Sequence, residues 1–216
     1  MFFNLPGKTI STLSCHIQLL RHIRSLKMAE NSSDYLFDVS VLTSLDTSEI
    51  ERDLTLPSGA TVLAPGAGLV LRPLSLSDYS KGYTDVLSQL TSVGDITEES
   101  FQETFKKMKS CENTYYITVI EDTNTGKVIG SGTLLVEQKI IHSCALRGRL
   151  EDIVVSDTYR GKQLGKLLVL LLTQLSKMLN CYKVSLDCKD HNRPFYEGVG
   201  YKRDEGNSNF MVIRYR

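Results

Sequence analysis

The sequence predicts an α+β domain with a mixed, mostly antiparallel central sheet flanked by helices. The first sign is the order of periodicities along the chain. Stretches apolar at every second position and stretches of helical period run strand, two helices, three strands, helix, strand, helix, strand. The second is that one apolar helix, after Tyr159, forms a crossover between strands. The meander is therefore antiparallel except at that crossover, where it becomes parallel. The third is bulk: 216 residues, 41% hydrophobic and 23% charged, suit one domain with a buried core plus a tail.

The segment Met1 to Lys27 has no acidic residue and carries Lys8, Arg21, Arg24 and Lys27, a composition resembling a mitochondrial transit peptide. The other reading is a disordered extension, with Met28 as a second start. Residues 31–66 mix Ser, Asp, Thr, Pro and Gly with short apolar patches, and read as a poorly ordered arm with one docked turn. Within it "LPSGATVLAPGAG" reads as a linker. The expected division is an arm over 1–65, with the basic extension at 1–27, and a folded domain over 66–216.

"GLVLRPL" opens the domain as a strand. "SLSDYSKGYTDVLSQLTSVG" has a helical period, with Ser75 or Ser77 as N-cap and Gly94 as its stop. In "ITEESFQETFKKMKS" Thr97 caps, Glu99 and Glu103 come early, and Lys106, Lys107 and Lys109 come late, the charge order that suits a helix dipole. "TYYITVIED" and "KVIGSGTLLVEQKIIH" are strands joined by the hairpin loop "TNTG". "LRGRLEDIVVS" is the next strand, followed by a helix to about Leu179. "CYKVSLDC" is a short strand, "HNRPFYEGVGY" a short helix stopped by glycine, and "SNFMVIRYR" a closing strand.

Composition excludes several classes. The formal net charge is zero, which argues against a nucleic-acid partner. Five scattered cysteines without a CxxC pair argue against zinc and thioredoxin-like sites, and read as thiols of a reducing compartment. The longest apolar run, Leu167 to Leu172, is too short for a transmembrane segment.

The informative stretch is "YRGKQLGKLLVLLL". A strand ending at Ile153, Val154 and Val155 feeds the hexad Arg160-Gly161-Lys162-Gln163-Leu164-Gly165, and Lys166 follows as the helix begins. A helix start has unpaired N–H groups and a partial positive charge. Gly161 and Gly165 let a bulky anion approach the backbone, and the three basic side chains add charge, so the site suits a pyrophosphate. The spacing is neither a P-loop nor a dinucleotide fingerprint.

The hexad resembles the [RQ]-x-x-G-x-[GA] signature of the GCN5-related N-acetyltransferase (GNAT) superfamily, with Arg160 and Gly165 matching and Gln163 in place of the middle glycine. A second signature, N-x-x-F-Y-x-x-x-G-[FY], is matched by Asn192, Phe195, Tyr196, Gly200 and Tyr201. "EQKIIHSCALRGRLEDIVVSDTYRGKQLGKLL" and "LNCYKVSLDC" are similar to the eukaryotic glucosamine 6-phosphate N-acetyltransferases, and the likeness covers about residues 66 to 216.

That resemblance implies a GNAT fold and direct transfer of acetyl from acetyl-CoA to the amine of glucosamine 6-phosphate, without a metal, on the route to UDP-N-acetylglucosamine. It implies coenzyme contacts at Ile153, Val154, Val155, the hexad, Lys166, Asp187, Asn192 and Tyr196. Glu151 is the implied base, the Asp187 carbonyl a second group at the amine, and Tyr196 the partner of the coenzyme thiolate. Implied sugar-phosphate contacts are Thr91, Lys139, Ile140, Ile141, His142, Glu151, Asp152, Tyr182, Lys183 and Arg214. It also implies a homodimer with shared active sites. The expected location is cytoplasmic, with peripheral membrane association and mitochondrial targeting by 1–27 as alternatives. Rival readings are an acetyltransferase for protein lysine or a polyamine, and a non-catalytic acyl-CoA sensor. The first would lack the cationic set, and the second would not need Glu151 and Tyr196.

Overall fold

A computed structural model describes residues 34–206 and 211–215. The basic extension at 1–27 lies outside the described residues. Helices α1 (Ser40–Thr43) and α2 (Ser48–Asp53) precede strand β1 (Leu69–Pro73), helices α3 (Tyr83–Ser88) and α4 (Glu98–Ser110), and strands β2 (Tyr115–Asp122), β3 (Lys127–Gln138) and β4 (Leu146–Val155). Helix α5 (Leu164–Met178), strand β5 (Cys181–Ser185) and helix α6 (Arg193–Glu197) follow. The five strands lie in chain order, antiparallel from β1 to β4 and parallel between β4 and β5. This is the expected mixed, mostly antiparallel sheet.

Helix α5 covers one face. Leu164, Leu167, Leu168, Leu171, Leu172 and Leu175 recur at helical spacing and are all buried. Each buried leucine contributes roughly 1.5–3 kcal/mol. Helices α3 and α4 cover the opposite face with Tyr83, Val86, Phe101 and Phe105, which form a separate cluster with Ile117 and Val119 of β2.

The arm is corrected from residue 34 onward. Leu36, Leu42, Leu45, Ile50, Leu54 and Val62 are buried, five of them in the cluster around α5. Glu49 pairs with Lys177 of α5 at 3.1 Å, and Leu36 N–H donates to Leu74 O at 2.8 Å. The polar composition masked apolar residues placed every few positions, and those are what dock the segment.

The first expected helix is split. Ser75 does cap, with Ser77 N–H donating to its Oγ at 3.4 Å. A 3₁₀ turn follows at Leu76–Tyr79, and Gly82, at φ +78°, breaks the run before α3. The turn carries Asp78, fully buried and gripped by the Arg72 guanidinium at 2.6 and 2.8 Å. Arg72 also donates to Glu121, which accepts from Lys81 as well, both at 2.8 Å. Burial works against the Arg72 cation, but Asp78 and Glu121 outweigh it and raise its pKa. Removing Asp78 would leave the buried guanidinium with Glu121 as its one carboxylate partner among these, at a cost toward the lower end of about 3–5 kcal/mol. Thr97 caps α4 as expected, accepting from Ser100 N–H at 3.2 Å.

Two strand expectations are corrected. Strand β3 ends at Gln138 rather than His142, and His142, Ser143 and Cys144 take positive φ in a left-handed turn. Gln138 Nε2 donates to Cys144 O at 2.7 Å and closes that turn. Among the described residues the closing strand is not formed: residues 211–215 make no strand, and Met211, Ile213 and Tyr215 are exposed. Alternating residues hold as a strand only when paired, and the sheet of the single chain ends at β5. Residues 207–210 and 216 lie outside the described residues.

Candidate active site

The site begins where β4 and β5 part. Their pairing runs from Leu146 with Cys181 to Arg149 with Ser185 and stops there. Just beyond, the β3–β4 register shifts: Ser131 faces Val154 and Thr133 faces Glu151, so Gly132 opposes both Asp152 and Ile153. Asp152 takes φ +53° at this bulge. A Cβ on Gly132 would stand 2.8 Å from Ile153 Cδ1 and 2.9 Å from Leu172 Cδ1, so any larger residue would have to push the ends of those two side chains aside. Past this point β4 and β5 no longer pair, and half-buried Glu151 stands on one side of the resulting cleft with Asp187 on the other.

Arg149 spans that cleft. Its Nε donates to Glu151 Oε1 and its Nη2 to Asp187 Oδ2. Burial disfavours the cation, but hydrogen bonds to Asp187 and Glu151 outweigh it and raise its pKa. Asp152 is pushed upward, first by desolvation and then by the charge of Glu151.

The glycine turn follows β4 directly. Ser156 N–H donates to Ile129 O at 2.8 Å, and a 3₁₀ turn at Asp157–Tyr159 leads into the hexad. Asp157 N–H donates to Gln89 Oε1 at 2.9 Å, and Tyr159 OH to Asp122 Oδ2 at 2.6 Å, so α3 and β2 brace the turn from below. Gly161 has φ +79° with nothing within 4 Å of a would-be Cβ. Gln163, in the position of the family's middle glycine, adopts a left-handed φ of +58° as N-cap. The N–H groups of Leu164, Gly165 and Lys166 precede the bond from Leu167 N–H to Gln163 O, 2.9 Å, and face outward as helix-start donors. Arg160, Gly161 and Lys162 are exposed, and Lys162 Nζ sits 4.8 Å from the Tyr159 ring centre. This donor set, open at Gly161, fits a pyrophosphate. Lys166 is drawn elsewhere: its ammonium donates to Asp53 O of α2 at 2.5 Å.

Helix α6 brings the second motif alongside. A Cβ on Gly165 would meet Phe195 Cζ at 3.9 Å. Asn192 is the N-cap of α6. Tyr196 packs edge-on against Phe195 at 4.9 Å and near Tyr201 at 6.2 Å, while Tyr201 OH and Thr173 Oγ1 lie 2.7 Å apart. Burial, then the neighbouring Cys188, raises the Tyr196 phenol, which keeps it a proton donor at neutral pH.

Of the residues expected at the sugar phosphate, some lie together. The His142 ring lies against Tyr182 at 4.4 Å, with Lys183 Nζ 5.6 Å from the Tyr182 ring, while Ile140 and Ile141 are exposed. Lys139 is paired with Glu137 at 2.5 Å. Thr91 stands exposed after α3, and Arg214 is exposed in the C-terminal segment. Arg149 was missed by sequence reasoning. Its signal was the strand alternation in "RGRLE", which puts Arg147, Arg149 and Glu151 on one face. No helix among the described residues is long and apolar enough to cross a membrane.

Comparison with known proteins places this geometry in a family. The acetyltransferase (GNAT) family model matches residues 82–201. A Drosophila melanogaster protein described as a probable glucosamine 6-phosphate N-acetyltransferase is 46% identical over 84% of this chain and 82% of its own length. The Arabidopsis thaliana glucosamine 6-phosphate N-acetyltransferase is 41% identical over 60% of this chain and 87% of its own. The crystal structure of the Arabidopsis thaliana enzyme superposes with a TM-score of 0.63 at 37% identity, covering 69% of this chain and 99% of that one. The chain belongs to the acetyltransferase (GNAT) family, and within it to the group of the glucosamine 6-phosphate N-acetyltransferases.

Proposed function

We propose that this enzyme transfers the acetyl group of acetyl-CoA to the amine of D-glucosamine 6-phosphate, releasing N-acetyl-D-glucosamine 6-phosphate and CoA on the route to UDP-N-acetylglucosamine. One observation carries the reading: the carboxylate cleft between β4 and β5 opens beside a glycine turn built for a pyrophosphate. Acetyl-CoA supplies an activated thioester carbonyl. Arg160 to Lys162 and the first N–H groups of α5 hold its pyrophosphate, while the β4 backbone at Ile153 to Val155 lines its arm. Glu151 accepts the proton of the amine, directly or through water, and the Asp187 carbonyl orients it. The backbone N–H of Ile153, which drops out of the β3 register, is the donor toward the developing oxyanion. Tyr196 protonates or hydrogen-bonds the leaving thiolate, with Asn192 alongside.

For the sugar phosphate, His142, Tyr182 and Lys183 form one wall, with Lys139, Asp152 and Thr91 around it and the backbone of Ile140 and Ile141 as a floor. Arg214 completes the cationic set. The exposed apolar residues Met211, Ile213 and Tyr215 support a homodimer in which the C-terminal segment pairs across the subunit boundary and carries Arg214 to a shared site. Free thiols at Cys111, Cys144, Cys181 and Cys188 suit a cytoplasmic setting.

Purified protein mixed with acetyl-CoA and a panel of amino sugars, with and without the 6-phosphate, tests this by mass spectrometry of the product. Glucosamine 6-phosphate should gain one acetyl group and be preferred over unphosphorylated glucosamine. Acetylation of lysine peptides or polyamines in preference to the sugar phosphate would overturn the assignment.

A further inference from the structure

We infer that Arg149 is a positioning residue for acetyl transfer, the tie that sets the width of the catalytic cleft and aims Glu151. The inference rests on the proposed roles of Glu151 and Asp187, and assigns a function to a third residue beside them.

The argument starts from what holds two strands apart at a fixed distance. From Leu146 to Arg149, backbone pairing fixes β4 against β5. Beyond Arg149 with Ser185 no ladder pair remains, and the chain after β5 runs on to Asp187 without a strand partner. The gap between Glu151 and Asp187 is therefore set by side chains. Arg149 stands at the last paired position and sends one guanidinium nitrogen to each wall: Nε to Glu151 on its own strand, Nη2 to Asp187, which lies 38 residues away in sequence.

Chemistry suits the residue to that task. A guanidinium is a planar fork whose N–H directions are fixed, so two carboxylates bonded to it are held in a defined mutual orientation. A lysine ammonium could reach one carboxylate but not hold both in one plane. The guanidinium is partly shielded, with a quarter of its side chain exposed, while both carboxylates stay open to solvent, so the tie acts through its fixed geometry rather than through a strong buried charge pair. Neighbouring cations have other occupations. Arg147 donates to Ser185 Oγ at 2.9 Å and approaches Glu137 at 3.6 Å, and Lys139 is tied to Glu137. Among the described residues, Arg149 is thus the cation bonded to both carboxylates of the cleft. A base must lie within hydrogen-bond reach of the proton it takes, and the tie keeps Glu151 from swinging into solvent and the Asp187 backbone from drifting outward.

The test uses full-length protein and the variants Arg149→Gln, Arg149→Lys, Glu151→Gln and the double variant Arg149→Gln with Glu151→Gln. Four quantities are measured: kcat, KM for glucosamine 6-phosphate, acetyl-CoA affinity by calorimetry, and Tm. Arg149→Gln should lower kcat about 10- to 100-fold, the scale of a misplaced catalytic group, and leave acetyl-CoA affinity within about twofold, because the coenzyme turn is braced independently by Asp122 and Gln89. Arg149→Lys should recover only part of the loss. In the Glu151→Gln background the same change should cost clearly less than in wild type, because no base is left to aim and only the hold on Asp187 is lost.

A full additional loss in that background would overturn the inference and make Arg149 a general structural residue. Unchanged kcat in Arg149→Gln would overturn it directly. Should Arg149→Gln fail to fold, Arg149→Lys decides, since wild-type turnover in that variant would mean the fork is not needed. If instead the wild-type protein acetylates no amino sugar, or Glu151→Gln is fully active, the functional reading fails, and the inference falls with it in a recognisably different pattern.

Discussion

The phenol of Tyr159 donates a 2.6 Å hydrogen bond to the carboxylate of Asp122, joining the last residue of β2 to the turn that precedes the coenzyme hexad. Asp122 also accepts from Asn124 N–H at 2.9 Å, so one carboxylate organises the β2–β3 hairpin and anchors the binding turn together.

Tyr159→Phe should therefore lower stability by about 1.5–3 kcal/mol, the range for a hydrogen bond to a charged group, and toward its lower end because the ring is half-buried. The bond to Tyr159, then the Asn124 N–H, holds the Asp122 carboxyl below the usual range. A carboxylate depressed in the folded state contributes its full stability above the unfolded value of about 3.9, and that contribution is lost as pH falls through the lower folded value. Thermal unfolding from pH 7 to pH 2 should thus show a smaller acid loss in the variant than in wild type. Parallel curves would remove Asp122 from the acid response.

Gly161→Asp should weaken acetyl-CoA binding severely, and Gly161→Ala mildly. No atom lies within 4 Å of a Cβ there, so steric clash is not the cause. Both variants strain a backbone at φ +79°, at a cost on the order of 1 kcal/mol. The aspartate alone adds negative charge where the pyrophosphate sits. Calorimetry should place the aspartate variant at least tenfold below the alanine variant, and equal affinities would mean that charge at this turn is irrelevant.

Glu151→Gln should leave coenzyme affinity nearly intact and lower turnover at neutral pH by about 10²–10⁴, the range for general-base catalysis. Turnover within about a factor of two of wild type across the pH range would place the base elsewhere or mean that the amine arrives deprotonated.

Arg214→Ala should raise KM for glucosamine 6-phosphate while sparing KM for acetyl-CoA, since a guanidinium fork grips a phosphate that plain glucosamine lacks. Mixed dimers of Arg214→Ala and Glu151→Gln chains test sharing. Partial return of activity on mixing is expected, and no gain over the parents would confine Arg214 to its own subunit.

The strand–turn–helix run around the hexad was legible in the sequence because its parts are contiguous. Strand end, glycines and apolar helix follow one another from Ile153 to Leu175, and local backbone rules decide what such a run does. The Thr97 cap, the β2–β3 hairpin and the buried stripe of α5 were legible for the same reason. The arm over 34–65 was misread because composition averages away the few leucines that matter, and the C-terminal alternation named a strand without supplying a partner.

By itself, then, the sequence determined the five strands of the sheet, the buried stripe of α5 and the glycine-punctuated start of that helix, all products of short-range periodicity. Only the tertiary structure decided that Arg149 would reach Glu151 and Asp187 at once. It also placed Gly132 against Ile153 and Leu172 at the bulge of β4. Those contacts depend on where two strands stop pairing, a matter of register and packing across distant segments, which no local pattern encodes.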